Sequence, residues 1–257
     1  MGISNIIFLV VFSVAITFFI RNLNRIIANI KLGRDIDRSD RSTDRWKNMF
    51  RVAVGQSKMT RRPVAGILHI IVYVGFLIIN IEMIEIIIDG IFGTHRFLST
   101  ILPEGLYTFL IGSFEVLAIL VLVACVIFLV RRNLIRINRF WKKEMTSWPR
   151  TDANLILIFE ILLMSAFLIM NATDVQFQAM HSGNIVSQFI EPLFSGVSES
   201  ALHIIERSAW WIHIIGILIF LNYLYYSKHL HILLAFPNTY FANLNPKGQF
   251  TNLEAVT

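Results

Sequence analysis

The sequence predicts an all-α integral membrane protein, a bundle of five transmembrane helices, from three observations. Of its 257 residues, 55% are hydrophobic and only 16% are charged, whereas a soluble domain carries about 25% charged residues. The apolar residues form long uncharged runs, which is typical of membrane spans. The single cysteine excludes a disulfide framework and any cysteine-ligated iron–sulfur cluster within this chain.

Five apolar runs are each long enough for a helix that crosses a bilayer, which takes about 20 residues. They are Ile3–Ile20, Val64–Ile88, Leu106–Val130, Ala153–Met170 and Ala209–Tyr226. The fifth run stays apolar toward Phe236, so we expect its helix to continue to that point. We therefore assign residues 1–236 to the membrane domain and residues 237–257 to a tail.

Lysine and arginine predict the orientation, because they collect in cytoplasmic loops. Of the 23 basic residues, 12 lie in residues 21–62, 7 in residues 131–150 and 2 in the segment after the fifth run. Only Arg96 and Arg207 lie on the opposite side. The N-terminus is therefore predicted outside and the C-terminus in the cytoplasm. The positive charge marks topology, so no nucleic-acid partner is expected.

Two segments between the runs are predicted to lie at the membrane surface. In Asp44–Val54, apolar residues recur at helical spacing, which predicts a short amphipathic helix on the cytoplasmic face. The second segment, Gln188–Phe194, belongs to the long outer stretch between the fourth and fifth runs.

Three of the seven histidines fall at depths that suit a cofactor. His69 lies roughly 9 Å inside the inner end of the second helix, and His213 lies at a similar depth from the outer end of the fifth. In a continuous helix, the 18 residues from His213 to His231 make five whole turns, or roughly 27 Å, so both imidazoles would share one face. That arrangement suits two stacked haems, and His69 with His231 can supply both axial ligands of one haem b. The other histidines are more simply interface or loop residues: His95, His181, His203 and His229.

Four carboxylates lie within the spans, where ionisable groups are costly and by default mark a functional site. Glu82 and Glu85 share a face in the outer half of the second helix. With haem present, they are candidates for a quinone site or for proton exchange, and bonding to other helices is an equal alternative. We predict structural roles for Glu115 and Glu160, and Cys125 is predicted to be a packing residue.

The fifth run resembles the last helix of the gamma (cytochrome b) subunit of respiratory nitrate reductase. The residues that carry this resemblance are Trp211, His213, Gly216, Phe220, Tyr226, Ser227, Lys228 and His231. They are also similar to the haem b membrane subunits of heterodisulfide reductase and of the sulfite-reductase-linked membrane complex. As a whole, the chain looks closest to the membrane part of bacterial proteins in which this domain precedes an iron–sulfur domain.

The resemblance implies that His69 and His231 hold an inner haem b and that His213 is one iron ligand of an outer haem. The family has a further histidine ten residues after the first one on helix two, and that position is Ile79 here. The partner of His213 therefore stays open among four residues: Met83, His95, His181 and His203. The resemblance also implies a quinone substrate, a location in the bacterial cytoplasmic membrane, and a cytoplasmic iron–sulfur protein or domain beyond the tail.

We therefore predict an electron-transfer subunit that links the (mena)quinone pool to a cytoplasmic iron–sulfur oxidoreductase. The alternative is a five-span transporter or membrane scaffold without haem, in which glutamate and histidine form a proton relay. Transporter sites are commonly built on helices broken at mid-span. Here four glycines lie singly within the runs, and the histidine spacing favours haem.

Overall fold

The computed structural model describes residues 2–59, 61–246 and 248, and within these residues it contains helices, turns and loops but no β-strand. In chain order the α-helices are α1 (Ile3–Lys31), α2 (Ser42–Met49), α3 (Pro63–Phe92), α4 (Phe97–Ile101), α5 (Glu104–Leu129), α6 (Trp148–Thr173), α7 (Val175–Met180), α8 (Ser187–Ile190), α9 (Glu199–Tyr223) and α10 (His231–Tyr240). Five of them, α1, α3, α5, α6 and α9, are long and apolar enough to cross a membrane. The five predicted spans are therefore confirmed.

Short π and 3-10 turns prolong or connect these helices. They are the π turns Phe50–Val54 and Val130–Leu134 and the 3-10 turns Asn138–Trp141, Lys143–Met145, Glu191–Phe194, Leu224–Tyr226 and Lys228–Leu230. The helix predicted at Asp44–Val54 is confirmed as α2 and its π turn. In the segment 188–194, Phe189 and Leu193 expose 77% and 80% of their surface. Its placement on the membrane surface stays a prediction.

The five spans form one ring. Helix α3 packs on α5, α5 on α6, and α6 on α9, while α1 packs on both α3 and α9. Phe114, Phe167 and Ile214 are fully buried in the core of this ring. Following the predicted orientation, we call the end with α2 and α10 the inner end, and the end with α4, α7 and α8 the outer end.

Two glycines allow close helix contacts, as small residues do in membrane bundles. A Cβ atom at Gly75 of α3 would overlap a methyl group of Val121 on α5. A Cβ atom at Gly216 of α9 would lie 2.7 Å from Cδ2 of Leu163 on α6. Both contacts therefore fix the distances between helices that line the cavities described below.

The fifth span differs from its prediction, because its helix does not run unbroken to Phe236. The turn after α9 ends at Tyr226, Ser227 is extended (φ −105°, ψ 150°), and α10 begins at His231. The prediction that His213 and His231 lie five turns apart on one face of a continuous helix is therefore wrong. The two residues belong to separate helices.

Asp152, the fifth residue of α6, stabilises this break. The buried carboxylate of Asp152 accepts hydrogen bonds from the Tyr223 hydroxyl (2.6 Å) and from the backbone N–H of Lys228 (3.2 Å). The hydroxyl of Ser227 accepts from the backbone N–H of His229 (3.0 Å). These side chains satisfy N–H groups that the interrupted helix leaves without partners, which offsets the cost of the break after the fifth span.

Helix α10 packs against the first inner loop. The buried guanidinium of Arg45 donates to the carbonyl groups of Tyr240 (3.3 Å) and Ala242 (3.1 Å), and Asn48 donates to the carbonyl of Thr239 (2.6 Å). Helix α10 therefore crosses residue 236, where the sequence placed the boundary between membrane domain and tail. The division itself stays a prediction, and residues 247 and 249–257 of the tail lie outside the described residues.

Candidate functional site

An inner cavity of about 230 Å³ brings three histidines together. It lies between α3, α10 and the turns that follow α2 and α9, and His69, His229 and His231 all line it. Most of the remaining lining is apolar or aromatic: Val52, Ala53, Met59, Val72, Tyr73, Phe76, Leu77, Ile232, Ala235 and Phe236. The predicted juxtaposition of His69 with His231 is present, although the helix carrying His231 is a separate one.

The imidazoles of His69 and His231 keep ring nitrogens available. Nδ1 of His69 is buried and has no hydrogen-bond partner. Nδ1 of His231 lies 3.0 Å from the carbonyl oxygen of Lys228, which can only accept, so this nitrogen donates and Nε2 carries the lone pair. A backbone carbonyl on the second nitrogen is the usual arrangement of a metal-ligating histidine.

His229 is predicted from the sequence to be an interface residue, but it lines the inner cavity. Its ring centroid lies 5.2 Å from that of His231 and 6.0 Å from that of Phe220. Burial, together with the nearby His231, lowers the pKa of His229 to about 4. Its imidazole is therefore neutral at physiological pH, which is the form that can bind a metal.

A middle cavity of about 70 Å³ contains His213 and Met83. His213 is 1% exposed, and its Nδ1 donates to the carbonyl oxygen of Leu163 (2.9 Å), again leaving Nε2 free. Val72, Phe76 and Glu160 line both this cavity and the inner one, so the two cavities are neighbours.

The other proposed partners of His213 lie elsewhere. His95 is hydrogen-bonded to Asp174 at the outer end (3.0 Å), and His181 is exposed where α7 ends. The side chain of His203 is 74% exposed. Among the four candidates named from the sequence, Met83 is the one that lines the middle cavity.

An outer cavity of about 280 Å³ contains the two carboxylates predicted on the second span. Glu85 accepts a hydrogen bond from the backbone N–H of Leu98 (2.8 Å), so it anchors α4. Glu82 is 2% exposed, and its Oε2 has no hydrogen-bond partner. The structure thus separates two residues that the sequence treated alike, since Glu85 is engaged and Glu82 is available.

Two further residues line the outer cavity, Arg96 and Glu206, and no site role is predicted for them from the sequence. The guanidinium of Arg96 donates to Asp174 (2.9 Å) and to the side-chain carbonyl of Asn171 (2.9 Å), and it stacks 3.8 Å from the ring centroid of Phe177. Glu206 is 4% exposed and lines both the outer cavity and a neighbouring vestibule of about 430 Å³. One signal could have found Arg96: it is one of two basic residues that stand against the charge bias.

The cluster around Arg96 is electrostatically balanced. Burial acts to raise the pKa of Asp174, but the hydrogen bond from His95 and the charge of Arg96 hold this pKa well below its usual range. Glu115, fully buried, accepts from Asn171 (2.9 Å) and from the backbone N–H groups of residues 186 (2.7 Å) and 187 (3.0 Å). These contacts support the structural role predicted for Glu115.

Two known proteins are similar to this chain in sequence. No family model matches the chain, and no solved structure matches it. It is 28% identical over 259 aligned positions to the probable iron-sulfur-binding oxidoreductase FadF of Bacillus subtilis (strain 168), an alignment that covers 97% of this chain and 34% of that protein. It is 25% identical over 225 positions to the EtfAB:quinone oxidoreductase of Syntrophomonas wolfei subsp. wolfei, covering 83% of this chain and 30% of that protein. The chain thus spans about a third of the length of two relatives that are both named as oxidoreductases.

Proposed function

We propose that the chain is the haem b membrane part of a quinone-linked oxidoreductase, and that it transfers electrons between the (mena)quinone pool and a cytoplasmic iron–sulfur protein. The observation that carries this proposal is the pair of neighbouring cavities in which His69, His231 and His213 keep unpaired imidazole nitrogens. The names of the two relatives support a redox role. We propose the bacterial cytoplasmic membrane as its location.

The residues of the inner cavity fit a haem. His69 on α3 and His231 on α10 would hold the haem iron, and the apolar lining would exclude water from the group. A haem b held by two histidines would supply one-electron transfer. His229 also lines this cavity, with its ring centroid 5.2 Å from that of His231. In the middle cavity, His213 and Met83 would hold a second haem, and thioether ligation is known for haem iron.

The outer cavity is the proposed quinone site. Glu82 offers a buried carboxylate oxygen without a partner, which can take the proton of a quinol hydroxyl group. The cavity shares Glu206, Arg207 and His95 with the outer vestibule. These polar groups give protons a route between Glu82 and the outer aqueous phase.

The inner end is the proposed docking face for the iron–sulfur partner. A wide groove between the segment around α2 and the residues after α10 carries five basic side chains: Arg41, Lys47, Arg51, Lys58 and Arg61. Three of its lining residues, Val52, Lys58 and Thr239, also line the inner cavity. An acidic protein surface held here would therefore lie beside the histidines of that cavity.

Optical spectroscopy of the purified protein tests the haem assignment. We expect a sharp b-type α-band in the dithionite-reduced minus oxidised spectrum, and loss of one haem per chain in His69→Ala and in His231→Ala. His203→Ala is the matched control, because its exposed side chain lies outside both histidine cavities. Full haem content in both ligand variants would contradict the assignment of His69 and His231. Loss of a second haem in His213→Ala would identify His213 as a ligand of that haem.

The two outer carboxylates provide a matched test of the quinone site. Glu82→Gln should slow menaquinol oxidation or menaquinone reduction about 100-fold or more, within the range by which a positioned proton acceptor accelerates a reaction. Glu85→Gln should mainly weaken the contact with Leu98, because its oxygen already accepts that backbone N–H. Equal quinone kinetics in Glu82→Gln and the wild type, with haem content preserved, would exclude Glu82 from this role.

The second candidate function is a transporter or scaffold with a glutamate and histidine proton relay. Glu82 in the outer cavity and Glu160, which lines the inner and middle cavities, are the observation that favours it. A flat difference spectrum from folded protein that was supplied with haem would make this candidate the better one.

A further inference from the structure

Residue Lys228 is held from both sides of its backbone. Its N–H donates to the buried carboxylate of Asp152 (3.2 Å), and its carbonyl oxygen accepts from Nδ1 of His231 (3.0 Å). The same carboxylate accepts from the hydroxyl of Tyr223 (2.6 Å), which lies in the last turn of α9. One residue of α6 is thus connected through a single backbone residue to the ring of His231.

We propose that Asp152 is a positioning residue that sets the imidazole orientation of His231 in the inner cavity, a role that rests on the haem function proposed above. The helix break frees the N–H of Lys228 from a helical partner, and Asp152 takes that N–H in its place. Fixing Lys228 fixes the carbonyl that receives Nδ1 of His231. This carbonyl therefore determines which ring nitrogen faces the cavity, as outer-shell partners of metal ligands do.

Two features argue that Asp152 does more than cap a helix end. Its carboxylate is 1% exposed, and burying a charge is costly unless it is hydrogen-bonded. Its two partners also lie on opposite sides of the break, so the carboxylate fixes the direction in which the chain leaves α9.

Asp152→Leu is the deciding variant, because it keeps a side chain of similar size and removes both acceptor oxygens. An asparagine would not decide, since its amide can turn so that the oxygen accepts from the N–H of Lys228 while the NH₂ group donates to the Tyr223 hydroxyl. Lys228→Ala is the matched control, since it keeps the backbone N–H and removes the Nζ contact with the carbonyl of Pro149 (2.6 Å), together with the charge near Asp152. Each variant is purified at full length, with thermal unfolding as the check on folding.

The readouts are haem retention, the ferric low-spin EPR signal, and the rate at which diethylpyrocarbonate modifies His231 in haem-free protein. In Asp152→Leu we expect about 10- to 100-fold weaker haem retention, a shifted EPR g value and faster modification of His231. Lys228→Ala should match the wild type in all three. A wild-type EPR signal and modification rate in Asp152→Leu would overturn the positioning role.

The two proposals can fail separately. If His69→Ala and His231→Ala both keep the full haem content, the ligand assignment fails. The modification rate of His231 in haem-free protein still decides whether Asp152 orients the ring. If the histidine variants lose haem while Asp152→Leu behaves as the wild type in every readout, only the positioning role is wrong.

Discussion

The histidine cavity at the inner end and the Arg96 network at the outer end treat buried polar groups in opposite ways. In the cavity, His69 has a buried ring nitrogen without a partner among largely apolar residues. In the network, Arg96 donates to Asp174 and Asn171, and Glu115 accepts from Asn171 and from two backbone N–H groups. The outer network connects helices to one another, whereas the inner cavity contains a ring nitrogen of His69 that is free to bind a ligand.

This contrast has an energetic basis. A buried polar group without a partner costs about 1–3 kcal/mol, so such groups are rare unless something binds them. At the outer end, Oε2 of Glu82 and the hydroxyl of Tyr107 are buried without a partner, while Arg96, Asp174 and Glu115 are paired. The unpaired oxygen of Glu82 and the unpaired nitrogen of His69 are therefore the atoms on which the proposed quinone and haem sites rest.

Arg96→Ala should have the largest effect on stability. It leaves the buried carboxylate of Asp174 without its guanidinium partner, and breaking a buried pair in this way costs about 3–5 kcal/mol. Thermal unfolding in detergent measures the loss, and the haem spectrum should be preserved because the inner cavity is distant in the bundle. Arg41→Ala is the control, with about 1 kcal/mol or less expected, since Arg41 and its partner Asp40 are 44% and 55% exposed. Equal losses in the two variants would remove the distinction between network and surface.

Gly75→Ala should have a smaller effect, confined to the cavities. Its new Cβ would overlap Val121, a β-branched residue with one strongly preferred rotamer in a helix, so α3 and α5 must separate at a cost of about 1–3 kcal/mol. Val121 lines the middle cavity, so the absorption spectrum of the haem proposed for that cavity should shift. Gly105→Ala is the control, because no atom outside its immediate neighbours lies within 4 Å of the Cβ position. An unshifted spectrum would show that the cavity does not depend on this contact.

Acidification should weaken the outer end more than the inner end, with the smallest expected effect. The folded-state pKa of Asp174 is held below its unfolded value of about 4. Its ionised form therefore contributes stability above pH 4, and this contribution is lost as the pH falls through the folded pKa. The unfolding temperature measured between pH 5 and pH 2 should fall less steeply in Asp174→Asn. Identical pH profiles would contradict this origin of acid sensitivity.

The spans could be predicted from the sequence, because an apolar run of about 20 residues has few structural alternatives. The break at Ser227 could not, since it depends on Asp152, which lies 75 residues earlier in the chain. That break also brought His229 into the inner cavity. A serine two residues before His229 was the local signal, because serine hydroxyls compete with helical hydrogen bonds.

The outer network was the least predictable part. A structural role is predicted for Glu115 from the sequence, whereas Glu85 stays open between a functional and a structural role. Contacts in space show that both accept hydrogen bonds from backbone N–H groups. Arg96 gave a clue through its position against the charge bias, but its partners come from α6 and the segment after it. Such pairings depend on tertiary contacts that a local pattern does not contain.

The interruption between α9 and α10 also changes how the chain tolerates insertions and deletions. In an unbroken helix, one added residue turns everything after it by about 100° and would swing a distant ligand out of its site. Here the extended residue Ser227 lies between the two helices and can absorb such a change. The register of His231 is set by its own short helix and by Asp152. The spacing between His213 and His231 is therefore free to vary while both sites stay intact.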